Sequence, residues 1–251
     1  MDVISLHPFD PVIAERYVAA LNGREPPQPT WTAWWSAALP KALVQARVGD
    51  ERAANRISLG LAWALAQAQP SYLIPGFGLS TWEARIDRGV GMLLRPPSRL
   101  FLDAGMDAST SRALPIRLDY QMGMMGGAYV PPRLVAQLHE LLETQFERTV
   151  RRLIEAEYDP FVILGPVHEA IDRARLQGHG LFEALDAFGA DGQGMPGMQV
   201  ILADPKRMDK ALRARIELAR REPRKASLLA RLLGRGVAPQ EIIPNGRLRK
   251  E

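Results

Sequence analysis

The chain contains no cysteine among its 251 residues. Disulfides, thiolate metal sites, iron–sulfur clusters and cysteine nucleophiles are therefore excluded. Histidine occurs only four times, so the side chain best suited to acid–base chemistry near neutral pH is scarce. Long apolar runs are missing as well: the most apolar stretch, residues 57–66, is half of the roughly 20 residues a membrane helix needs. No membrane span is expected. The opening Met1-Asp2-Val3-Ile4-Ser5-Leu6-His7-Pro8 has neither the basic start nor the apolar segment of a signal peptide, and a cytoplasmic location is the expectation. The loop Gly123-Met124-Met125-Gly126-Gly127 lacks the lysine and Ser/Thr of a P-loop and the spacing of a dinucleotide fingerprint. It reads as a tight turn, and neither a cofactor nor a metal is expected.

What the chain does have is a full complement of core residues, 47% hydrophobic against 24% charged, and a lopsided charge. Residues 206–251 hold 14 Lys/Arg and five Asp/Glu, although the whole chain carries only +4. Residues 1–205 are therefore net acidic. A basic arm on an acidic body seeks an acidic surface: a partner protein, nucleic acid, an anionic membrane, or the body itself.

Along the chain, Asp10-Pro11 has the form of an N-cap followed by proline at the first helical position, and Val12, Ile13, Tyr17, Val18 and Leu21 continue at helical spacing to Asn22-Gly23. Further helical segments follow around Trp31, Trp34 and Trp35 and after Asp50, which makes the first third helical. From Trp82 the period changes. Trp82, Ala84, Ile86, Val90, Met92 and Leu94 share one parity, and so do Ile116, Leu118, Tyr120, Met122 and Met124, the alternation of half-buried strands, with Arg99 to Asp103 a second, short strand candidate between them. A capping box, Ser80-Thr81-Trp82-Glu83, with Trp82, Ile86 and Val90 four apart, supports a competing helix; two interior glycines, at about 1 kcal/mol each, favour the strand. An amphipathic helix then runs from Pro131-Pro132 to about Glu157, with others over 166–177 and 181–188, a mobile glycine-rich loop over 189–197 and a last short strand over 198–203. The fold class that results is α+β: a helical N-terminal third, a small antiparallel sheet at about residues 81–125 covered by helices, and a basic helical C-terminal extension. Residues 1–204 form one domain, and 205–251 an arm that docks on it or reaches for a partner.

Two clusters could carry function. His168 and Asp172 lie one helical turn apart, Glu169 adjoins His168, and His179 follows in Gly178-His179-Gly180; together they could perform general acid–base work in a hydrolase-type enzyme. The same residues also read as ordinary helix-surface pairs, and Asp172 stands where a zinc HExxH motif needs its second histidine. His139 and Glu143 are one turn apart too, and their place on the polar stripe makes them a solvated pair. The second cluster is the arm, with Arg220, Arg221, Arg224, Lys225, Arg231 and Arg235 as partner-binding cations. Residues 226–243 imitate a helix-turn-helix, but Pro244-Asn245-Gly246 stops the second helix after about one turn, too short to read a major groove. The leading expectation is thus a non-catalytic regulatory or assembly subunit whose arm engages an acidic protein partner or assembly. The hydrolase-type enzyme is second and a non-specific nucleic-acid binder third. Self-association into a homo-oligomer stays open, and so does the role of the tryptophan face at Trp31, Trp34 and Trp35.

Overall fold

The computed structural model describes residues 3–26, 33–114, 128–189, 192 and 197–221, with residues 33–36 described as backbone alone. The chain divides into a compact unit, residues 1–220, and residues 221–251. The sheet and the helices packed on it belong to the first.

At the centre of that unit stand five strands, β1 (Val3–Phe9), β2 (Ser71–Pro75), β3 (Tyr129–Val130), β4 (Gly180–Leu185) and β5 (Val200–Leu202). They form one mixed sheet of order β3-β4-β1-β2-β5. β1 pairs antiparallel with β2 and with β4, β3 antiparallel with β4, and β2 parallel with β5. The class expected from sequence, α+β with helices covering a sheet, is the class observed. The location of the sheet is not. Residues 82–94, read as a strand, form a π-helical turn Trp82–Ile86 followed by a 3₁₀ turn Arg88–Met92, and the second strand candidate, around Arg99 to Asp103, is a helix. Trp82, Ile86 and Val90, common to both spacings, are buried, while Ala84 and Met92, which only a strand would bury with them, are exposed, Met92 at 79%. The glycines cost little here, since the 3₁₀ turn is opened by Asp87, whose carboxylate accepts from Gly89 N (2.8 Å). The third strand candidate, over 116–124, lies outside the described residues.

Helices cover both faces. On one lie α1 (Pro11–Leu21), α2 (Ala33–Arg47), α3 (Glu51–Ala68), α5 (Pro97–Asp103) and α6 (Ala108–Arg112). Tyr17, Leu43, Ile57, Leu61, Leu65 and Phe101 there pack on Phe9, Leu73 and Phe182 of the sheet. On the other lie α4 (Leu79–Thr81), α7 (Pro132–Thr144), α8 (Phe146–Glu155), α9 (Pro160–Gln177) and α10 (Lys210–Arg221), whose Leu138, Val150, Val167, Ile171 and Ile216 pack on Leu6, Tyr72, Ile74 and Leu181. Local signals start and stop these helices. Asp10, Asp50 and Asp159 each accept a backbone N–H as N-caps, and Gly178 closes α9 at φ 69°, a left-handed conformation that suits glycine. The helix expected over 131–157 breaks at Gln145 into α7 and α8. The helix expected over 181–188 is instead β4, which pairs with β1 along its whole length. Among the described residues no helix is long and apolar enough to cross a membrane.

Candidate functional site

Helices α7 and α9 each present a histidine and a carboxylate one turn apart, and they meet in reverse order. His139 Nε2 lies 3.3 Å from Asp172 Oδ1; four residues on along α7 and four back along α9, His168 Nε2 donates to Glu143 Oε1 at 2.7 Å. This is the register of antiparallel neighbours. His168 Nδ1 is 3.4 Å from Asp172 Oδ2, so both ring nitrogens face carboxylates, and the two imidazoles meet edge to face at 6.0 Å. Arg215 from α10 closes the chain. Its Nη2 donates to Glu143 Oε2 (2.9 Å) and its Nη1 to Oε1 (3.4 Å), while the guanidinium stacks 4.1 Å above the Phe146 ring.

The electrostatics are set by that geometry. Partial burial pushes the Glu143 carboxyl up, but hydrogen bonds from Arg215 and then His168, with their charges, outweigh it and hold the group below the usual carboxylate range. His168 is well covered, at 14% side-chain exposure. Both of its ring nitrogens are turned to carboxylates, Nε2 to Glu143 and Nδ1 to Asp172. The network clasps three helices, and neither nitrogen of His168 is left over for a substrate.

The four residues expected to act together are therefore divided. His168 and Asp172 join the clasp. Glu169 turns to the sheet side of α9, where Tyr72 Oη donates to its Oε1 (3.2 Å) and accepts from Arg173 Nε (2.8 Å); burial, the largest effect there, pushes the Tyr72 phenol up to about 12. His179 follows Gly178 beyond the far end of α9, eleven residues from His168, roughly 15 Å at the helical rise. His139 and Glu143, expected to be a solvated pair, are members of the clasp. Among the described residues no three His, Asp or Glu side chains are placed to hold a metal.

A groove of about 430 Å³ adjoins the clasp between α8 and α10, with Arg148, Arg151 and Arg215, Glu143 and Glu147, and Leu218 in its walls. Arg148 and Arg151 make no ion pair among the described residues. α10 itself belongs to the core through Leu212, Ile216 and Ala219, and Arg213 and Arg220 lie 5.8 and 5.4 Å from the centre of the Phe161 ring. Of the expected partner-binding cations, Arg220 and Arg221 are thus exposed at the end of a packed helix. Arg224, Lys225, Arg231 and Arg235 lie outside the described residues, as do Trp31 and the side chains of Trp34 and Trp35.

Two polar arrangements escaped the sequence. His7 is wholly buried in the central strand, with Ser5 Oγ 2.9 Å from its Nε2 and Ser71 Oγ 2.8 Å from its Nδ1, and Phe188 stacks on it at 5.8 Å. Ser5 Oγ donates to the Ala184 carbonyl (3.4 Å), which leaves it to accept from Nε2–H while Ser71 donates to Nδ1. Burial holds this ring neutral, with its pKa down to about 3. Glu183, buried in β4, accepts from Ser80 N (2.9 Å) and Ser80 Oγ (2.5 Å), so its carboxyl group sits at the start of α4. The approach requires glycine at position 78, where a Cβ would stand 2.6 Å from the Glu183 carboxylate. The only sequence signal for either was polarity inside a short apolar run. No family model, no curated protein and no solved structure matches the chain.

Proposed function

We propose that the protein is a non-catalytic interaction subunit that engages an acidic protein partner through a basic C-terminal region. The observation that carries this reading is the distribution of charge. Residues 221–251 hold eight Lys/Arg and three Glu, and the chain enters them from α10, where Arg220 and Arg221 are exposed. Within the compact unit, the α8–α10 groove carries Arg148 and Arg151 beside Glu143 and Glu147. Support also comes from the clasp. Its acids and imidazoles are committed to one another and to Arg215, so it reads as a structural tie between helices more readily than as a catalytic centre.

The test is binding of polyglutamate and of a random DNA duplex to the full chain at low and at physiological salt. Saturable polyglutamate binding that persists at physiological salt is expected. Binding to the duplex alone, falling steeply with salt, would instead favour the nucleic-acid reading. A substrate turned over and lost in both His168→Ala and Glu143→Gln would favour the enzyme.

A further inference from the structure

The helical hairpin α2–α3 holds a cavity of about 490 Å³, within the range of small-molecule sites. Its floor and one wall are apolar: Leu39 and Ala42 from α2, Leu59 and Trp63 from α3. Trp63 is fixed, because its Nε1 donates to the Ala187 carbonyl at 2.8 Å, and so it offers the cavity a rigid aromatic surface. Lys41 from α2 and Arg56 from α3 are exposed and also line the cavity. Neither makes an ion pair among the described residues, and no carboxylate is among the described lining residues.

The want of a carboxylate among its described lining residues distinguishes this cavity from two others. The α8–α10 groove contains Glu143 and Glu147, and the cavity beside Phe9 and Tyr129 contains Glu15 and Asp103. In the hairpin an apolar slot is joined to two cations that have no ion pair among the described residues. The complementary ligand has an apolar body and a single anionic head. Lys41 and Arg56 stand on different helices, so one head between them could take a hydrogen bond from each. Gln45, one turn beyond Lys41 on α2, adds a neutral amide to the lining.

We infer that the α2–α3 cavity binds a medium-chain fatty carboxylate, its chain along Leu39, Ala42, Leu59 and Trp63 and its carboxylate between Lys41 and Arg56. The site is independent of the basic C-terminal region and stands or falls apart from it. Titration calorimetry of decanoate, decan-1-ol and acetate into the full chain tests it. Decanoate is expected to bind saturably at one site, the alcohol about tenfold more weakly, and acetate not at all, because the apolar body supplies most of the affinity and the charge the selectivity. The double variant Lys41→Gln/Arg56→Gln, altered only at exposed positions, is expected to melt like the parent. It should bind decanoate roughly five- to tenfold more weakly and the alcohol unchanged. Ala38→Phe, at an exposed lining position, should fill the slot and remove both. Failure of decanoate to bind, equal affinity for acid and alcohol, or an unchanged affinity in the double variant would each overturn the assignment.

Discussion

Acidification from pH 7 to pH 5 should weaken this fold by an amount traceable to His7. The ring is completely buried between Ser5 and Ser71 and beneath Phe188, and burial lowers its pKa to about 3. In the unfolded chain an imidazole titrates near 6.5. Because the folded value is the lower one, the unfolded state takes up a proton that the folded state refuses. The contribution is therefore present above about pH 6.5 and is lost as pH falls toward 3, at about 1.4 kcal/mol per unit. Between pH 7 and 5 the loss amounts to about 2 kcal/mol, a sizeable part of a typical stability of about 5–15 kcal/mol. Carboxylates also titrate on the way down, so the comparison needs a reference chain. His7→Gln keeps a donor and an acceptor between the two serines but cannot take up the proton. Urea unfolding of both chains at pH 7, 6 and 5 should show the parent losing about 2 kcal/mol more than the variant. Parallel profiles, or an imidazole NMR titration of His7 with a midpoint above 6, would refute the reasoning.

The clasp and the second helical layer yield further outcomes. His168→Ala removes a well-covered ring that bridges Glu143 and Asp172 and should cost about 1–3 kcal/mol, whereas Glu169→Ala, at an exposed position, should stay within about 0.5 kcal/mol; thermal melting of the pair checks both. Glu143→Gln keeps the side-chain shape and removes the charge that Arg215 and His168 share. With that side chain 32% exposed, the cost, discounted for solvent screening, is about 1 kcal/mol, and it should shrink as pH falls, since the carboxylate's lowered pKa makes its contribution one that acid removes. Ile216→Ala in α10 should cost about 2–5 kcal/mol and Leu218→Ala, 61% exposed, almost nothing; equal effects in denaturant titration would show that α10 is not packed as described. Gly78→Ala should destabilise by about 1–3 kcal/mol, since the new methyl drives Glu183 off the start of α4, a loss visible in the same titration.

Helix signals were legible because they are local. Asp10-Pro11, Asp50 and Gly178 act on neighbours within one turn, and each stands where the sequence places it. The sheet was much less legible, since β1, β2 and β4 are buried on both faces over most of their length and so lack the alternation that marks a half-exposed strand. Val3–Phe9 is the central strand, yet Ser5 and His7 inside it are buried and Pro8 interrupts it. β4 carries Glu183 in its middle, which suits a helix until the start of α4 supplies the carboxylate with two donors. Residues 82–94 misled in the other direction, because spacing of four and spacing of two coincide at Trp82, Ile86 and Val90. The clasp was half visible. His139 with Glu143, and His168 with Asp172, stand out as pairs one turn apart, but their union depends on the antiparallel packing of α7 on α9, and Arg215 joins from 72 residues away. Spacing within one helix cannot report that.

The proposed role is tested most directly by removing the basic region. A chain ending at Arg221 loses seven Lys/Arg and three Glu. It retains every element of the compact unit. Polyglutamate affinity and melting temperature should be measured on this chain and on the full one. The expected result is a loss of polyglutamate binding with a melting temperature within a few degrees of the parent. Undiminished binding by the shortened chain, or a collapse of its stability, would contradict a partner-engaging role for the C-terminal region.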